Sequence, residues 1–388
     1  MPYSKPVVIA IAGIGSTEHV RRSSRPILDL IVDASLRAIA DAGLRPTDID
    51  GIVTDVSYMP LRAPADEVAR ALGIGERCFT AHGLVGGAGV VGAPHLAELA
   101  IRSGQARHVL SYYGADFGSA PGGPYAFPVA LDAKVGIEMP FGWYGQPLYF
   151  ASMAQRYKHE FGLTPEQQAE VAIAARAHAA RTPDAMRRQP LSLDGYLASP
   201  MVAEPFRSLD CSLISDGATA FVMTSAERAR ELPQRPVLVA GIGVASVAET
   251  QAGYFTQHNP YPATPASRSA PRALAQAGLT PADVDVVEFY DCFTITTLLQ
   301  LEECGFCGRG EASSFVEGGR IGPGGSLPVN THGGLLSHSY MVGAEHVTEA
   351  VRQLRGDRGE GQVEGAEVAL VTGLGVPDHA TLVLTVDR

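Results

Sequence analysis

Two distant stretches of the chain repeat one pattern of apolar and polar positions. Arg37 to Val53 reads RAIADAGLRPTDIDGIV and Arg272 to Glu288 reads RALAQAGLTPADVDVVE, with Arg, Ala, Gly, Leu, Pro and Asp at identical spacing. Each copy predicts an Ala-rich helix closed by a glycine (Gly43 or Gly278), then a proline turn and a short β-branched strand. Another matched pair lies upstream, KPVVIAIAGIG from Lys5 and RPVLVAGIG from Arg235. Each half therefore opens strand, helix, strand, and the chain reads as a duplicated α/β unit with halves at residues 1–230 and 231–388. The first half carries an insertion at about 117–209, rich in Gly, Pro and aromatics. Within it, Thr164 caps a predicted helix, Pro165 takes its first position and Gln167 completes a capping box. The segment Ala88 to Ile101 is small and apolar with little polar face, which suits a helix buried between two layers. The second half ends in two strand-like runs, Glu367 to Thr372 and Thr381 to Val386.

Composition narrows the class. The chain has 388 residues, 46% hydrophobic and 18% charged, a globular balance with length for more than one domain-sized unit. No apolar run reaches the roughly 18 residues of a membrane span, and the N-terminal run meets Gly13 too soon for a signal peptide. The expected compartment is the cytoplasm, without membrane association. A net charge of −11 argues against a nucleic-acid partner. The only lysines are Lys5, Lys134 and Lys158, which leaves little for Schiff-base chemistry. Five cysteines in a long chain suggest reduced thiols rather than a disulfide scaffold.

Two motifs carry less than their spelling suggests. Gly87 to Gly92 matches a dinucleotide-binding pattern, but Phe79 to Gly83 before it makes a poor hydrophobic strand. Cys304-Gly305-Phe306-Cys307 is a lone pair without the second pair that zinc needs, so no metal is expected. The denser constellation lies in the second half. Val284 to Phe289 reads as a buried strand, and Tyr290-Asp291-Cys292-Phe293-Thr294 follows it where a helix (Ile295 to Cys304) begins. Such a junction offers unpaired amides and positive potential. Beyond it, LPVNTHGGLLSHSYM places Asn330, His332, Gly333, Gly334, His338 and Tyr340 ahead of an amphipathic helix ending at Gly356. Glycines among His and Tyr suggest backbone drawn close to a ligand, with Asn330, Gly333 and Gly334 as candidate substrate contacts.

With these motifs, and with SDGATAFVMTS from Ser215, the chain resembles the thiolase superfamily over essentially its whole length. More narrowly it resembles the lipid-transfer-protein or sterol-carrier thiolase-like branch. The fold this implies is α/β, two duplicated βαβαβ-type halves forming a five-layer α-β-α-β-α core. Thiolases work with a nucleophilic Cys at the start of a buried helix and a second Cys near the C-terminus. Here the first position falls in Gly83-Leu84-Val85-Gly86-Gly87 and the second in Leu370-Val371-Thr372-Gly373, both without Cys. Without the nucleophile no acyl-enzyme forms.

Within the superfamily the chain looks most like the steroid side-chain-cleaving aldolases, which carry paired tyrosines in the motifs matched by Tyr290 and Tyr340. The resemblance implies retro-aldol cleavage of a β-hydroxyacyl-CoA, giving a ring ketone and propionyl-CoA or acetyl-CoA. It gives catalysis to Tyr290 and Tyr340, with Asp291, Cys292, His332 and His338 in support. Coenzyme A enters as part of the substrate, and no other cofactor is expected. The implied partners are a second copy of the chain and a small zinc-ribbon/OB-fold protein, together a heterotetramer, with substrate supplied by a hydratase. A tyrosine acting as base near neutrality needs its pKa lowered by about 3 units from 10. His338, two residues from Tyr340, or helix amides are the expected sources of part of that shift, which favours Tyr340 as the base, although the sequence leaves the order of the two tyrosines open. The rival readings are an acyltransferase using Cys292 as a displaced nucleophile and a non-catalytic acyl-CoA-binding protein. Eight aromatics of the insertion, Phe117, Tyr125, Phe127, Phe141, Trp143, Tyr144, Tyr149 and Phe150, are apolar enough to line a bulky pocket.

Overall fold

A computed structural model describes residues 8–56, 63–123, 134–143, 145–247, 262–375 and 377–387. The first half runs β1 (Ile9–Ser16), α1 (Ile27–Asp41), β2 (Gly51–Val56), α2 (Ala65–Leu72), β3 (Phe79–Val85), α3 (Gly86–Arg102) and β4 (Val109–Asp116). The insertion adds α4 (Gln146–Phe161), α5 (Pro165–Ala180), α6 (Leu193–Leu197) and a small hairpin of β5 (Met201–Ala203) and β6 (Phe206–Arg207). Then come β7 (Asp216–Ser225) and α7 (Ala226–Ala229). The second half runs β8 (Val237–Ser246), α8 (Ala266–Ala277), β9 (Val286–Glu288), α9 (Thr294–Glu303) and α10 (Ala312–Phe315). It ends with α11 (Gly334–Ser337), α12 (Ala344–Arg355), β10 (Val368–Leu374) and β11 (Asp378–Val386).

The main strands join in the order β3-β2-β4-β7-β1-β8-β11-β10-β9. This is two half-sheets meeting edge to edge, because β1 and β8 share only the pairs Ala10–Leu238 and Ile11–Val237. In one half β7 is antiparallel to β1 and β4, and β2 is parallel to β3 and β4. In the other β11 is antiparallel to β8 and β10, and β10 is parallel to β9. A parallel bridge from Val287 to Val329 stands where β3 stands beside β2. Helix α1 covers one half-sheet and α8 the other, while α3 and α12 lie between them and touch strands of both. The layers are therefore α-β-α-β-α.

The duplication extends to single contacts. A Cβ on Gly13 would meet the Ala38 carbonyl oxygen at 2.2 Å, and one on Gly241 would meet that of Ala273 at 2.0 Å. Gly15 and Gly243 stand in the same relation to Ala34 and Ser269. These glycines let α1 and α8 lie directly on the strands before them. The Ile14 amide donates to Asp41 at 2.9 Å and the Ile242 amide to Gln276 at 3.0 Å, again from equivalent positions. Asp50 accepts from the amides of Arg107 and His108, and Asp285 from those of Glu367 and Val368. Gly43 and Gly278 end their helices with φ of 70° and 69°.

Three sequence expectations change. Phe79 to Val85 does form a strand, β3, because parallel pairing with β2 overrides its polar alternation at the sheet edge. Strand β9 is only Val286–Glu288, since a 3₁₀ turn precedes it and the Asn330 side chain takes the Phe289 amide at 2.7 Å. Among the insertion's aromatics, Tyr149 and Phe150 are buried core, Trp143 is half-buried, and Phe141 is 88% exposed. Tyr125, Phe127 and Tyr144 lie outside the described residues. The capping box at Thr164 and Gln167 forms as read.

Candidate active site

The C-terminal end of β9 delivers Tyr290 to the middle of the molecule. Its amide donates to Thr372 Oγ1 at 2.9 Å, and its carbonyl accepts from Thr296 Oγ1 at 3.0 Å and Gln300 Nε2 at 2.9 Å. Those bonds fix the backbone and leave the side chain to be aimed by packing. Tyr340 comes from the connection between α11 and α12, its amide held by Ser215 Oγ at 2.8 Å. The two phenols meet with hydroxyl oxygens 3.0 Å apart. Phe117, from the start of the insertion, packs on the Tyr340 ring with centroids 5.5 Å apart.

The start of α3 explains why Tyr290 fits. Gly86 and Gly87 open α3, and a Cβ on Gly87 would lie 2.4 Å from the Cε2 of Tyr290. The tyrosine ring thus occupies the space that a side chain at 87 would need. The segment Leu370 to Gly373, the second place where the sequence lacked an expected Cys, also meets this tyrosine, because Thr372 accepts from the Tyr290 amide. Sequence reading marked both positions only by the absence of Cys.

Burial pushes the pKa of both tyrosines up, Tyr290 well above its ordinary value. The downward shift expected for a tyrosine base is therefore absent, and so is its expected source. His338 ends α11 with Nδ1 2.8 Å from Ser339 Oγ and Nε2 3.6 Å from Asp184 Oδ2. Its ring packs against His19 and His332. One nitrogen faces Ser339 and the other Asp184, and the imidazole holds the Asp184 carboxyl well below the usual range.

The other expected residues divide. Asp291 accepts from the Leu335 amide at 2.8 Å and lies 3.2 Å from His346 Nε2, so it fixes the start of α11 and a face of α12. Asn330, at φ 56°, accepts from the Phe289 amide and donates to its carbonyl, so its side chain is tied to the end of β9. The close approach at Gly334 is to protein, since an added Cβ would meet Asp291 Oδ2 at 2.1 Å; at Gly333 it would meet the Ala179 Cβ at 2.6 Å. His332 sits behind the tyrosines, its Nδ1 3.1 Å from Glu288 Oε2. Cys292 is buried near both phenols, and burial together with Asp291 pushes its thiol up, against the role of displaced nucleophile.

Ser215, Thr296, Gln300, Thr372 and His346 were not picked out from sequence. Of these, Ser215 lay in a quoted motif and Thr372 in the segment matched to the second cysteine position, while a Thr or Gln inside a helix or strand carries no local signal of its own. Cys304 and Cys307 are free thiols, and burial raises the pKa of both. Gly87 to Gly92 is buried within α3 between the half-sheets, which leaves no open glycine turn for a pyrophosphate. No helix among the described residues is long and apolar enough to cross a membrane.

Comparison with known proteins agrees with this geometry. Residues 247–386 match the thiolase C-terminal domain-like family. A steroid side-chain-cleaving aldolase of Thermomonospora curvata is 38% identical over 99% of both chains. The 17-hydroxy-3-oxo-4-pregnene-20-carboxyl-CoA lyase of Mycobacterium tuberculosis is 40% identical over 95% of this chain and 97% of its own. A solved Ltp2-ChsH2(DUF35) aldolase superposes with a TM-score of 0.92 at 37% identity, covering 99% of each chain. With its fold and these relatives, the chain belongs to the thiolase superfamily, in the branch of carbon–carbon lyases that holds the steroid side-chain-cleaving aldolases.

Proposed function

We propose that this chain cleaves a β-hydroxyacyl-CoA by a retro-aldol reaction, with Tyr290 and Tyr340 moving the proton. The substrate is a steroid side-chain thioester, and the products are a ketone, a 17-ketosteroid, and a short acyl-CoA such as propionyl-CoA. The names of the two relatives at 38% and 40% identity support the substrate class. The observation that carries the mechanism is the 3.0 Å contact between the two phenols, set against a helix that opens on Gly86-Gly87.

The reaction needs a proton taken from the β-hydroxyl and one given to the α-carbon, with the Cα–Cβ bond breaking between. Two neutral phenols in contact can do both. The bond electrons pass into the thioester as the hydroxyl oxygen becomes a carbonyl. Tyr340 accepts the hydroxyl proton while its own passes to Tyr290, and Tyr290 delivers one to the enolate carbon. The proton lost from oxygen is the proton gained by carbon, so no phenolate has to persist. That suits two tyrosines whose pKa values are raised by burial.

The chain works as a homodimer with a small zinc-ribbon/OB-fold partner of the DUF35 kind, forming a heterotetramer in the cytoplasm and receiving substrate from a hydratase; the two halves divide at 230/231. The name of the similar solved structure supports the partner class. The test is co-expression with such a partner and mass spectrometry of the products from a steroid β-hydroxyacyl-CoA. Ketone and short acyl-CoA in equal amounts are expected. Their absence, or unchanged rates in both Tyr290→Phe and Tyr340→Phe, would sink the scheme.

A further inference from the structure

Behind the tyrosine pair lies a group of side chains that the reaction does not use. Glu288 closes β9, His332 lies in the loop before α11, and His346 lies in the first turns of α12. All three are at most 1% exposed. One ligand-type atom from each falls within 4.8 Å of the others. Glu288 Oε1 is satisfied by the amide and hydroxyl of Thr331. Its Oε2 is not, and neither ring nitrogen of His332 nor Nδ1 of His346 has a hydrogen-bond partner among the described residues. His332 Nδ1 and Glu288 Oε2 are 3.1 Å apart but poorly aligned for a hydrogen bond.

Orphaned polar atoms in a dry interior are costly, and here they converge on one point from three elements. The surrounding charge is lopsided. Glu288, Asp291, Glu345 and Glu349 are all at most 2% exposed; Arg358 pairs with Glu349 and His346 faces Asp291, which leaves Glu288 and Glu345 without a buried arginine or lysine partner among the described residues. Buried carboxylates in excess of buried cations call for a compensating positive charge.

We propose that Glu288, His332 and His346 bind a divalent cation of borderline softness, with Zn²⁺ as the matching ion. Two imidazole nitrogens and one carboxylate oxygen form a donor set that zinc, cobalt and iron accept and magnesium does not favour. A tetrahedral zinc site with bonds of about 2.0–2.1 Å sets its ligand atoms roughly 3.4 Å apart, so side-chain movements of about an ångström would complete the site. The second nitrogen of His346 faces Asp291 at 3.2 Å, the kind of carboxylate partner that orients a metal-bound histidine. The ion is structural. It ties the end of β9, the loop before α11 and the start of α12, the three elements that position Tyr290 and Tyr340. This site lies in the present chain and is separate from any zinc in a ribbon partner.

The test uses the full chain purified without a partner, stripped with a chelator and titrated with Co²⁺ as a spectroscopic probe. One equivalent should bind, with visible d–d absorption typical of a low-coordinate nitrogen/oxygen site, and Zn²⁺ should displace it. Zn²⁺ should also raise Tm by a few degrees, since it binds only the folded chain. Glu288→Gln keeps the shape and removes the charge, and His332→Ala removes a ligand; each should weaken Co²⁺ binding at least tenfold. The wild-type titration decides even if a variant fails to fold. No stoichiometric Co²⁺ or Zn²⁺ binding by the wild-type chain overturns the proposal, as does unchanged affinity in a folded Glu288→Gln variant.

Discussion

Helices α3 and α12 occupy equivalent middle-layer places in the two halves, yet they are surrounded by very different chemistry. α3 opens on Gly86-Gly87, is apolar throughout its first turns, and offers a bare surface on which the Tyr290 ring lies. Around the start of α12 stand Tyr340, Glu345 and His346, and Asp291, Glu288 and His332 pack beside it. The duplication preserved the frame down to the paired glycines Gly13 and Gly241. It did not preserve the side chains at the helix starts. The start of α3 is tied to β10 by backbone, since a Cβ on Gly373 would meet the Gly87 carbonyl oxygen at 2.0 Å, whereas the start of α12 is surrounded by polar side chains.

The largest effect should follow from removing the chemistry of the second half. Tyr290→Phe and Tyr340→Phe should each lower kcat by about 10³-fold, within the span of general acid–base catalysis, with Tm nearly unchanged. Steady-state product formation read by mass spectrometry checks this. Equal and small losses would mean that the contact between the phenols is only packing.

Next come substitutions in the frame. Gly13→Ala and Gly241→Ala should each cost about 3 kcal/mol in denaturant unfolding, because both would drive a methyl into a helix carbonyl. If one is tolerated and the other is not, the halves are less alike than their contacts suggest. Gly87→Ala sharpens the contrast at the site itself, with about 1–3 kcal/mol of strain and a displaced Tyr290 ring. Gly92→Ala in the same helix, whose methyl would meet Ala380 Cβ at 3.4 Å, should leave kcat within about twofold.

A pH effect is expected from Glu303 in the second half. Burial pushes its pKa up to about 8 despite hydrogen bonds from Thr264. Across the interval from its unfolded value near 4.5 to about 8, the native state holds a proton that the unfolded chain has lost. Its contribution is therefore full below the lower value and is lost as pH rises through the upper one. Glu303→Gln should flatten that decline by an amount on the order of a few kcal/mol, read as stability against pH. The smallest effect concerns Cys292, whose buried and raised thiol should escape alkylation at neutral pH, with activity retained and the peptide unmodified by mass spectrometry.

Much of the frame was legible because its determinants are local. A glycine closing a helix, a proline turn and an aspartate capping it recur within seventeen residues in each copy, Arg37 to Val53 and Arg272 to Glu288. The tyrosines were legible only through the resemblance of their motifs, since an isolated Tyr in a glycine-rich loop has no periodicity to mark it. Reading His338 as the group that tunes Tyr340 failed for a related reason. Two residues of separation in a turn say nothing about where a ring nitrogen points, and here both turn toward Ser339 and Asp184. That the Asn330 amide closes the end of β9 was likewise invisible in its spacing.

By itself, then, the sequence determined the duplicated α/β frame, a property of residue type and short spacing, while the positions without cysteine and the pair of tyrosine motifs were read through resemblance to a family. Only the tertiary structure decided that Tyr290 fills the space left by Gly87, that Thr372 holds its backbone, and that two phenols fifty residues apart touch. It also decided that Glu288, His332 and His346 leave unsatisfied atoms facing one another. Contacts of that kind depend on how α3, α12 and the end of β9 pack between two half-sheets, and dense packing across long separations in the chain leaves no trace in the local pattern.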